Sequence, residues 1–172
     1  LEYLISKGAN LNYIDMDEES LLDVAVRKNN YEMVEYLISK GIKSDTDTLS
    51  TSLYYAIEKK SQIKIIKYLI SKGADLRSSS LEGLISPIFQ ALKNKNYEVL
   101  EFLVNDELDI YDLDANENTP LDIAIYNKDY KAISLLLDKI QFENNKSFKP
   151  LFTLLMVNDS VSTNLFKEKL KK

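Results

Sequence analysis

The stretch LEYLISKGAN at residues 1–10 decides the fold, because it returns along the chain at a nearly constant interval. It recurs as VEYLISKGI at 34–42 and IKYLISKGAD at 66–75, with weaker echoes in LEFLVNDELD at 100–109 and ISLLLDKI at 133–140. The position that Gly8 holds advances by 33, 32, 34 and 33 residues through these copies. Self-similarity at such a period indicates a chain built from stacked structural repeats.

A second recurring segment lies between these phrases and has the pattern of a helix start. It occurs at Ser20-Leu21-Leu22, Thr51-Ser52-Leu53, Ser86-Pro87-Ile88, Thr119-Pro120-Leu121 and Lys149-Pro150-Leu151. A hydroxyl can accept from an unpaired N–H of the first turn, and proline at the first helical position has no donor to leave unpaired. Alanine follows the aliphatic residue by three positions at Ala25, Ala56, Ala91 and Ala124, and the fifth segment has Leu154 there. Each period is therefore predicted to open with a short helix, at whose alanine a second helix can approach closely.

A second helix is predicted in each repeat. Asn30, Asn96 and Asp129 are favourable N-cap residues, and the apolar residues after them recur at three- and four-residue spacing. The glycines of the three strongest phrases then follow directly, as expected where a helix ends in a left-handed residue. Two helices of about ten residues cannot bury their apolar faces alone, so neighbouring units must stack.

Together the period, the helix start, the central alanine and the Gly-Ala-Asp ending resemble the ankyrin repeat. The best match is DANENTPLDIA at 114–124, against the family pattern D-x-x-G-x-T-P-L-H-x-A. The resemblance implies an all-α fold, an α-solenoid of stacked helix-turn-helix repeats with short connecting loops. It implies one domain over 1–172, with a partial repeat at 1–14, repeats at 15–45, 46–80, 81–113 and 114–141, and a C-terminal capping repeat at 142–172. Because residues 1–7 match only a second helix, we expect a fragment of a larger ankyrin repeat protein.

The chain departs from the family pattern at its histidine, its loop glycine and its loop lengths. The histidine of the T-P-L-H segment is replaced by Asp23, Tyr54, Phe89, Asp122 and Phe152, so we expect its hydrogen bonds to be absent or rebuilt. Glu18 and Glu117 stand at the loop glycine, and the interval from glycine to central alanine is 15 residues after Gly41 but 18 after Gly73. The loops at 42–50 and 74–86 are therefore expected to depart from the usual finger. The helix end at Ile140 should also differ, because a β-branched residue is strained at positive φ.

Composition excludes several classes of function. The chain has no cysteine and no histidine, which removes disulfides, thiolate chemistry and the commonest general base and metal ligand. A formal charge of −5 argues against a general nucleic-acid binder, which should be basic. Outside the lysine-rich tail at 167–172 the balance is more acidic still, which favours a partner with a basic surface. No apolar run reaches bilayer-spanning length, so membrane insertion is not expected.

Two acidic loops begin like a calcium-binding EF-hand, DMDEES at 15–20 and DLDANE at 112–117. Both lack glycine at the sixth position, held by Ser20 and Glu117, and both lack the carboxylate at the twelfth. We therefore predict no metal site and no cofactor. The chain also has no glycine-rich phosphate loop and no constellation of nucleophile, acid and base, so no catalytic residue is assigned and the chain is predicted not to be an enzyme.

Tyr31, Tyr97 and Tyr130 stand at the start of successive second helices. They could form an aromatic ladder for a ligand. Their place on the apolar stripe favours packing between repeats instead.

The resemblance also implies a partner-binding face, because loop tips and first helices line the concave side of ankyrin arrays. Carried to this chain, the predicted loop-tip residues are Met16, Asp17, Glu19, Asp47, Glu82, Ile85, Asn116 and Asn118. The predicted first-helix residues are Arg27, Lys28, Glu58, Lys59, Lys93, Asn94, Tyr126 and Asn127. Ile85 and Tyr126 are the predicted apolar anchors of this face.

The predicted function is a non-catalytic protein–protein interaction module, an adaptor or targeting scaffold acting as a monomeric array. Its expected location is the cytoplasm, or a host cytosol if the protein is a secreted effector. One alternative is that the array recruits substrates for a larger enzyme or secreted effector whose active domain lies outside this sequence. Another is that it is a spacer without a partner.

Overall fold

The structure is a computed structural model that describes residues 3, 6–16, 19–76, 86–105, 110–140, 153 and 157–169. Within these residues the chain is helical, without a β-strand. The helices are α1 Leu21–Arg27, α2 Tyr31–Ser39, α3 Thr46–Glu58, α4 Ile63–Ser71, α5 Pro87–Lys93, α6 Tyr97–Asn105, α7 Pro120–Tyr126, α8 Tyr130–Leu137 and α9 Ser160–Lys169. None of these helices is both long and apolar enough to cross a bilayer. The chain forms two compact units, Leu1–Leu84 and Ile85–Lys172.

The unit Leu1–Leu84 packs two helical pairs in two layers. The first helices α1 and α3 contact each other, as do the second helices α2 and α4, and each first helix also packs on its own second helix. The side chains between the layers are fully buried, among them Leu22, Val26, Leu37, Ile57 and Leu69. Burying one such side chain contributes about 1.5–3 kcal/mol, so stacking supplies what a single pair cannot.

The unit Ile85–Lys172 follows the same plan. Helices α5 and α7 form one layer, helices α6 and α8 form the other, and α9 packs on α8 in the second-helix layer. Leu100, Leu103, Ile125 and Ile133 are fully buried in the core, and Phe166 of α9 is nearly so. Of the predicted capping repeat, only residues 153 and 157–169 lie within the described part of the chain.

Hydroxyl-bearing residues start the first helices α1 and α7 as the sequence predicts. Ser20 and Thr119 accept hydrogen bonds from the backbone N–H groups of Asp23 and Asp122, at 3.1 and 3.2 Å. The two aspartates return the contact to the capping residues' own N–H groups, which completes a capping box in each helix. Two of the orphan donors of each helix start are thereby satisfied.

Helix α3 corrects the sequence-based boundary. Its start was predicted at Thr51, but the helix begins at Thr46, where the Asp45 carboxylate accepts from the N–H of Thr48 at 2.9 Å. Leu49 is buried one turn before Leu53, so the added turns extend the apolar face. The prediction that loop 42–50 departs from the usual finger is therefore confirmed. Most of the second atypical loop, residues 77–85, lies outside the described residues.

The second helices end as predicted at left-handed glycines. Gly41 has φ 81° and Gly73 has φ 103°. A Cβ atom at either position would meet no atom within 4 Å, so backbone conformation rather than space requires glycine there. Ile140 is not among the residues with positive φ, which confirms that α8 ends differently. Glu117 does adopt φ 60° at the loop-glycine position, whereas Glu18 lies outside the described residues.

The first helices end in a turn that sequence reasoning missed. The residue after each C-cap is left-handed without being glycine, at Asn29, Lys60, Lys95 and Lys128, with φ of 55°, 55°, 51° and 50°. The next N–H in each turn donates to the carbonyl of the central alanine, over 3.1 Å to Ala25, 2.8 Å to Ala56, 2.9 Å to Ala91 and 2.9 Å to Ala124. This six-to-one bond is that of a Schellman motif. The central alanines therefore have two roles: their backbone carbonyls accept the hydrogen bond that closes the turn, and their small side chains allow close helix packing.

Candidate functional site

Aspartates at two of the former histidine positions fasten the finger loops to the first helices. Asp23 accepts through Oδ2 from the backbone N–H and the hydroxyl of Ser20, at 3.0 and 2.6 Å, and through Oδ1 from the hydroxyl of Ser52 at 2.6 Å. Asp122 accepts in the same way from Thr119, and its Oδ1 accepts from the Thr153 hydroxyl. The expectation of a rebuilt network is confirmed at these two positions. Each aspartate also bonds to the next repeat, which fixes the helices that carry the predicted site.

Two finger loops are described, one after residue 10 and one after residue 110. In each, an aspartate carboxylate accepts from the backbone N–H four residues on: Glu19 donates to Asp15 at 2.9 Å, and Asn118 donates to Asp114 at 2.8 Å. The Asn118 amide also donates to Asp114, at 3.1 Å. Asn118 is therefore half-buried and engaged within its loop.

The first finger presents apolar surface at its tip. Met16 is 99% exposed, and the neighbouring Tyr13 and Ile14 are also exposed. Asn116 is exposed in the second finger. Of the other predicted loop-tip residues, Asp17, Glu82 and Ile85 lie outside the described residues. Asp47 is exposed, but in the first turn of α3 rather than in a loop.

The eight predicted first-helix residues occupy one repeated position. They are the last helical residue and the C-cap of each first helix: Arg27 and Lys28, Glu58 and Lys59, Lys93 and Asn94, and Tyr126 and Asn127. Because α1 packs on α3 and α5 packs on α7, the pairs within each unit belong to adjacent helices. Tyr126 is the exposed aromatic residue of the set, at 67%.

Ion pairs neutralise part of this set. The Arg27 guanidinium lies 2.6 Å from the Glu19 carboxylate, and Lys59 lies 3.2 Å from Glu58. Three carboxylates also act on Tyr55 of α3. Burial, followed by the charges of Asp23, Glu19 and Glu58, raises the pKa of Tyr55 on α3. Sequence reasoning listed Arg27 and Glu19 separately and missed that they pair along the length of α1.

Comparison with known proteins gives this repeat its name. The family model described as ankyrin repeats in three copies matches residues 1–80 and 53–147. The chain belongs to the ankyrin repeat family. An ankyrin repeat protein of fowlpox virus (strain NVSL) is 27% identical over 150 residues, covering 81% of this chain and 43% of that protein. The chain therefore spans less than half the length of this relative.

The ankyrin repeat domain of human ASB11 shows the same fold. It is 21% identical, covers 98% of this chain and 77% of its own, and superposes with a TM-score of 0.71. The predicted all-α ankyrin fold is confirmed. Ankyrin repeats generally mediate protein–protein interaction, which is the coarse function that membership in the family shows.

The tyrosines at the start of the second helices pack between ankyrin repeats, as predicted. The Tyr31 ring meets the Tyr68 ring edge-on at 5.6 Å, and the Tyr97 hydroxyl donates to Asp129 of the next repeat at 3.0 Å. Burial and this hydrogen bond raise the pKa of Tyr97. The Tyr130 hydroxyl reaches Asp159 at 3.3 Å. These rings therefore hold repeats together rather than forming an open ladder.

In the two described finger loops, aspartate carboxylates accept hydrogen bonds from backbone N–H groups of the same loop. Among the residues that the structure describes, no three His, Cys, Asp or Glu side chains are grouped so that they could hold a metal ion. Asp15 and Asp114, the leading acids of their fingers, accept from loop N–H groups instead. The carboxylates of Asp15 and Asp114 are thus engaged within their own loops.

Proposed function

We propose that this ankyrin chain is a non-catalytic adaptor or targeting module that binds a partner protein through its finger loops and first helices. The exposure of Tyr126 is the observation that carries the proposal. An aromatic side chain that is 67% exposed at the end of a first helix serves no core. Exposed aromatic residues are the usual anchors of protein interfaces. Met16, fully exposed at a finger tip, provides a second apolar contact.

The charge of the first unit supports a partner with a basic surface. The finger sequence DMDEE at 15–19 carries four acidic residues, one of which, Glu19, pairs with Arg27. Exposed acidic groups at an interface rim speed association with a basic patch and suppress acidic partners. We further propose that the array acts as a monomer in the cytoplasm, or in a host cytosol if the protein is a secreted effector.

A second role is favoured by the length of the fowlpox relative, of which this chain spans less than half. We propose as the alternative that the array recruits substrates for a longer enzyme or effector. The partner would then itself be modified by the full-length protein. Incubating the captured partner with the full-length protein and with the isolated array separates the roles, since only a recruiting module yields a modified partner with the former alone.

The test begins with affinity capture on the purified chain and continues with the affinity of the captured partner for three variants. We expect Tyr126→Ala to weaken binding by about tenfold, a moderate hot-spot loss. The double variant Asp17→Lys/Glu19→Lys should slow association. The control Val161→Ala removes exposed apolar surface from α9, outside the proposed face, and should leave affinity unchanged. Unchanged affinity in both Tyr126→Ala and the double variant, with native melting by circular dichroism, would sink the proposal.

A further inference from the structure

Three of the four first-helix turns place lysine where the backbone is left-handed. Lys60, Lys95 and Lys128 have φ of 55°, 51° and 50°, and all three are exposed. A side chain at such φ is less favourable than glycine, because Cβ approaches the backbone oxygen. The same chain uses Gly41 and Gly73 at the corresponding turns after its second helices. Turn geometry alone therefore does not account for lysine at these positions.

The ammonium groups of these lysines are turned to solvent rather than committed to the fold. Within the described residues, neither Lys60 nor Lys95 has an ion pair or a side-chain hydrogen bond. Lys128 lies near Asp159, whose pKa is lowered mainly by hydrogen bonds from Ser162 and only secondarily by Lys128. Internal salt bridges thus explain at most one of the three.

Consecutive turns are locked to each other, which fixes the positions of the lysines. In the first unit, Gln62 donates from its backbone N–H to the Asn29 side chain at 2.9 Å and from its amide to the Asn29 carbonyl at 3.1 Å. The Ser61 hydroxyl bonds to the Val26 carbonyl at 3.2 Å. In the second unit, the Tyr97 hydroxyl bridges to Asp129. Each unit therefore presents its turn as a rigid, preorganised edge.

A second set of lysines lies next to these turns, at the start of the second helices α4 and α8. Lys64 lies 3.5 Å from the centre of the Tyr31 ring, and Lys131 lies 4.5 Å from the centre of the Tyr97 ring. The two pairs occupy equivalent places in the two units, at the start of consecutive second helices. An ammonium group held over an aromatic face loses part of its freedom. Less entropy is then lost when it meets an anion.

We define the turn edge as residues 27–32 and 58–64 of the first unit and 93–98 and 126–131 of the second. The turn edge is net basic, although the whole chain is net acidic. Its four segments hold nine lysine or arginine residues and four acidic ones, whereas the whole chain holds 22 and 27. One of the four acids, Asp129, is buried. Cations are favoured near helix C-termini, which accounts for lysine at the C-caps. It does not account for lysine at the strained residue beyond them.

We propose that the turn edge of each unit is a docking surface for an extended acidic segment of a protein partner. Helices that pack side by side lie about 8–10 Å apart, so carboxylates about three extended residues apart can meet the cations of successive turns. The turn edge shares the ends of the first helices with the partner face described above. The proposal goes beyond that face, because it adds Lys60, Lys95 and Lys128 and assigns an acidic segment to them, whereas the finger loops were assigned a basic partner surface.

The charge pattern favours a protein segment over a nucleic acid or a membrane. Phosphates are best matched by the planar fork of arginine, and the turn edge has one arginine, Arg27, which is paired with Glu19. The net charge of −5 also repels a long polyanion that extends beyond the edge. A short acidic segment makes the local contacts without that repulsion.

The test uses the whole chain and a fluorescein-labelled glutamate-rich peptide of about twelve residues, long enough to span two turns. Anisotropy at low salt gives its affinity, which should fall steeply as salt is raised. The variant Lys60→Gly/Lys95→Gly/Lys128→Gly removes the strained side chains, so it should melt at the same temperature or higher. We expect it to bind the peptide about tenfold more weakly, as three exposed ion pairs imply.

The matched control removes three lysines from the other ends of the helical pairs. Lys40→Asn/Lys72→Asn/Lys139→Asn makes the same change in net charge at exposed positions, and should alter the peptide affinity less than about twofold. Equal losses in the two triple variants, or no peptide binding by the unaltered chain at low salt, would overturn the proposal.

Two further probes identify the class of anion. A single-stranded oligonucleotide of equal charge and phosphatidylserine vesicles should both bind more weakly than the peptide. If either binds more tightly and loses its affinity in the turn-lysine variant, the edge is a phosphate surface and the acidic-peptide proposal is wrong. The variant Asp17→Lys/Glu19→Lys releases Arg27 from Glu19 and should bind the acidic peptide at least as tightly as the unaltered chain, while it weakens the basic partner of the finger loops. Failure of this proposal and failure of the proposed partner face are therefore distinguishable.

Discussion

Replacing Asp122 by alanine tests whether its buried carboxylate, at the position of the family histidine, joins the loop to the helix and one repeat to the next. Asp122 is fully buried and accepts from the N–H and hydroxyl of Thr119 and from the hydroxyl of Thr153. Asp122→Ala removes the carboxylate half of the capping box of α7 and the bond to the next repeat together, while the backbone N–H of residue 122 can still donate to the Thr119 hydroxyl. The buried N–H and hydroxyl of Thr119 and the hydroxyl of Thr153 lose this acceptor.

The size of the effect follows from those bonds. Loss of the bond between repeats costs about 1 kcal/mol, and depriving the buried N–H of Thr119 of its acceptor costs roughly 1–3 kcal/mol, so we expect a loss of about 3 kcal/mol. For a chain of this length, that corresponds to a fall in Tm of roughly 6–12 °C. Thr153→Val removes the hydrogen bond from the Thr153 hydroxyl to Asp122 and should cost about 1 kcal/mol. Circular-dichroism melts and urea titrations measure both.

The control and the double variant make the reasoning refutable. Asp138→Ala removes an exposed carboxylate that pairs with Lys169 at 3.0 Å and should change Tm by no more than about 2 °C. Adding Thr153→Val to Asp122→Ala should change stability little, because the two groups share one interaction. A Tm shift for Asp122→Ala no larger than that of Asp138→Ala would show that the carboxylate does not hold the repeats together.

Two further outcomes concern local structure. Gly41→Ala should destabilise the chain by about 1 kcal/mol in urea titration, since φ is 81° and an added Cβ meets no neighbour; unchanged stability would contradict the assignment to backbone strain. Hydrogen bonds from Thr48, aided by Lys43, lower the pKa of Asp45 from 3.8 to about 2, so its cap stabilises α3 fully above pH 3.8 and is lost as pH falls through about 2. Amide exchange in the first turn of α3 should therefore rise over that range in the unaltered chain but not in Asp45→Asn, and parallel behaviour of the two proteins would rule the cap out.

The features that the sequence predicted have local causes. Ser20 and Thr119 begin helices because their hydroxyls reach backbone donors three residues away, and that relation is visible in sequence spacing. Gly41 ends a helix because glycine alone adopts its φ without strain. The 33-residue interval then orders such units into a stack, so the ankyrin fold could be inferred before any coordinates.

Features that depend on distant residues could not be predicted. Asp23 gains the Ser52 hydroxyl from 29 residues away, and nothing within its own repeat indicates that contact. The early start of α3 was missed because Asp45 is as good a turn residue as a helix cap until Leu49 is seen to be buried. Lysine at positive φ has no compositional signal at all.

The candidate site shows the same division. The family pattern predicted that Arg27 and Tyr126 hold equivalent positions at the ends of first helices, because each residue of a repeat has a counterpart in the next repeat. Whether such a residue is available to a partner depends on its neighbours. Arg27 is compensated by Glu19, whereas Tyr126 stands exposed. The exposure of a side chain such as Tyr126 depends on how its neighbours pack, and a single sequence does not show that packing.

The turn after each first helix, which is bonded to the carbonyl of the central alanine, has a fixed length, whereas the finger loop that precedes the helix varies in length. From the central alanine to the left-handed residue the chain always takes four steps, as in Ala25 to Asn29 and Ala91 to Lys95. From the preceding glycine to the same alanine the distance drifts from 15 residues after Gly41 to 18 after Gly73. Inserting or deleting residues in the turn would break the bond that sets each helical pair, whereas the finger side has already absorbed such changes. Sequence drift and engineered insertions should therefore accumulate where the fingers lie, and recognition can diversify there while the stack keeps its register.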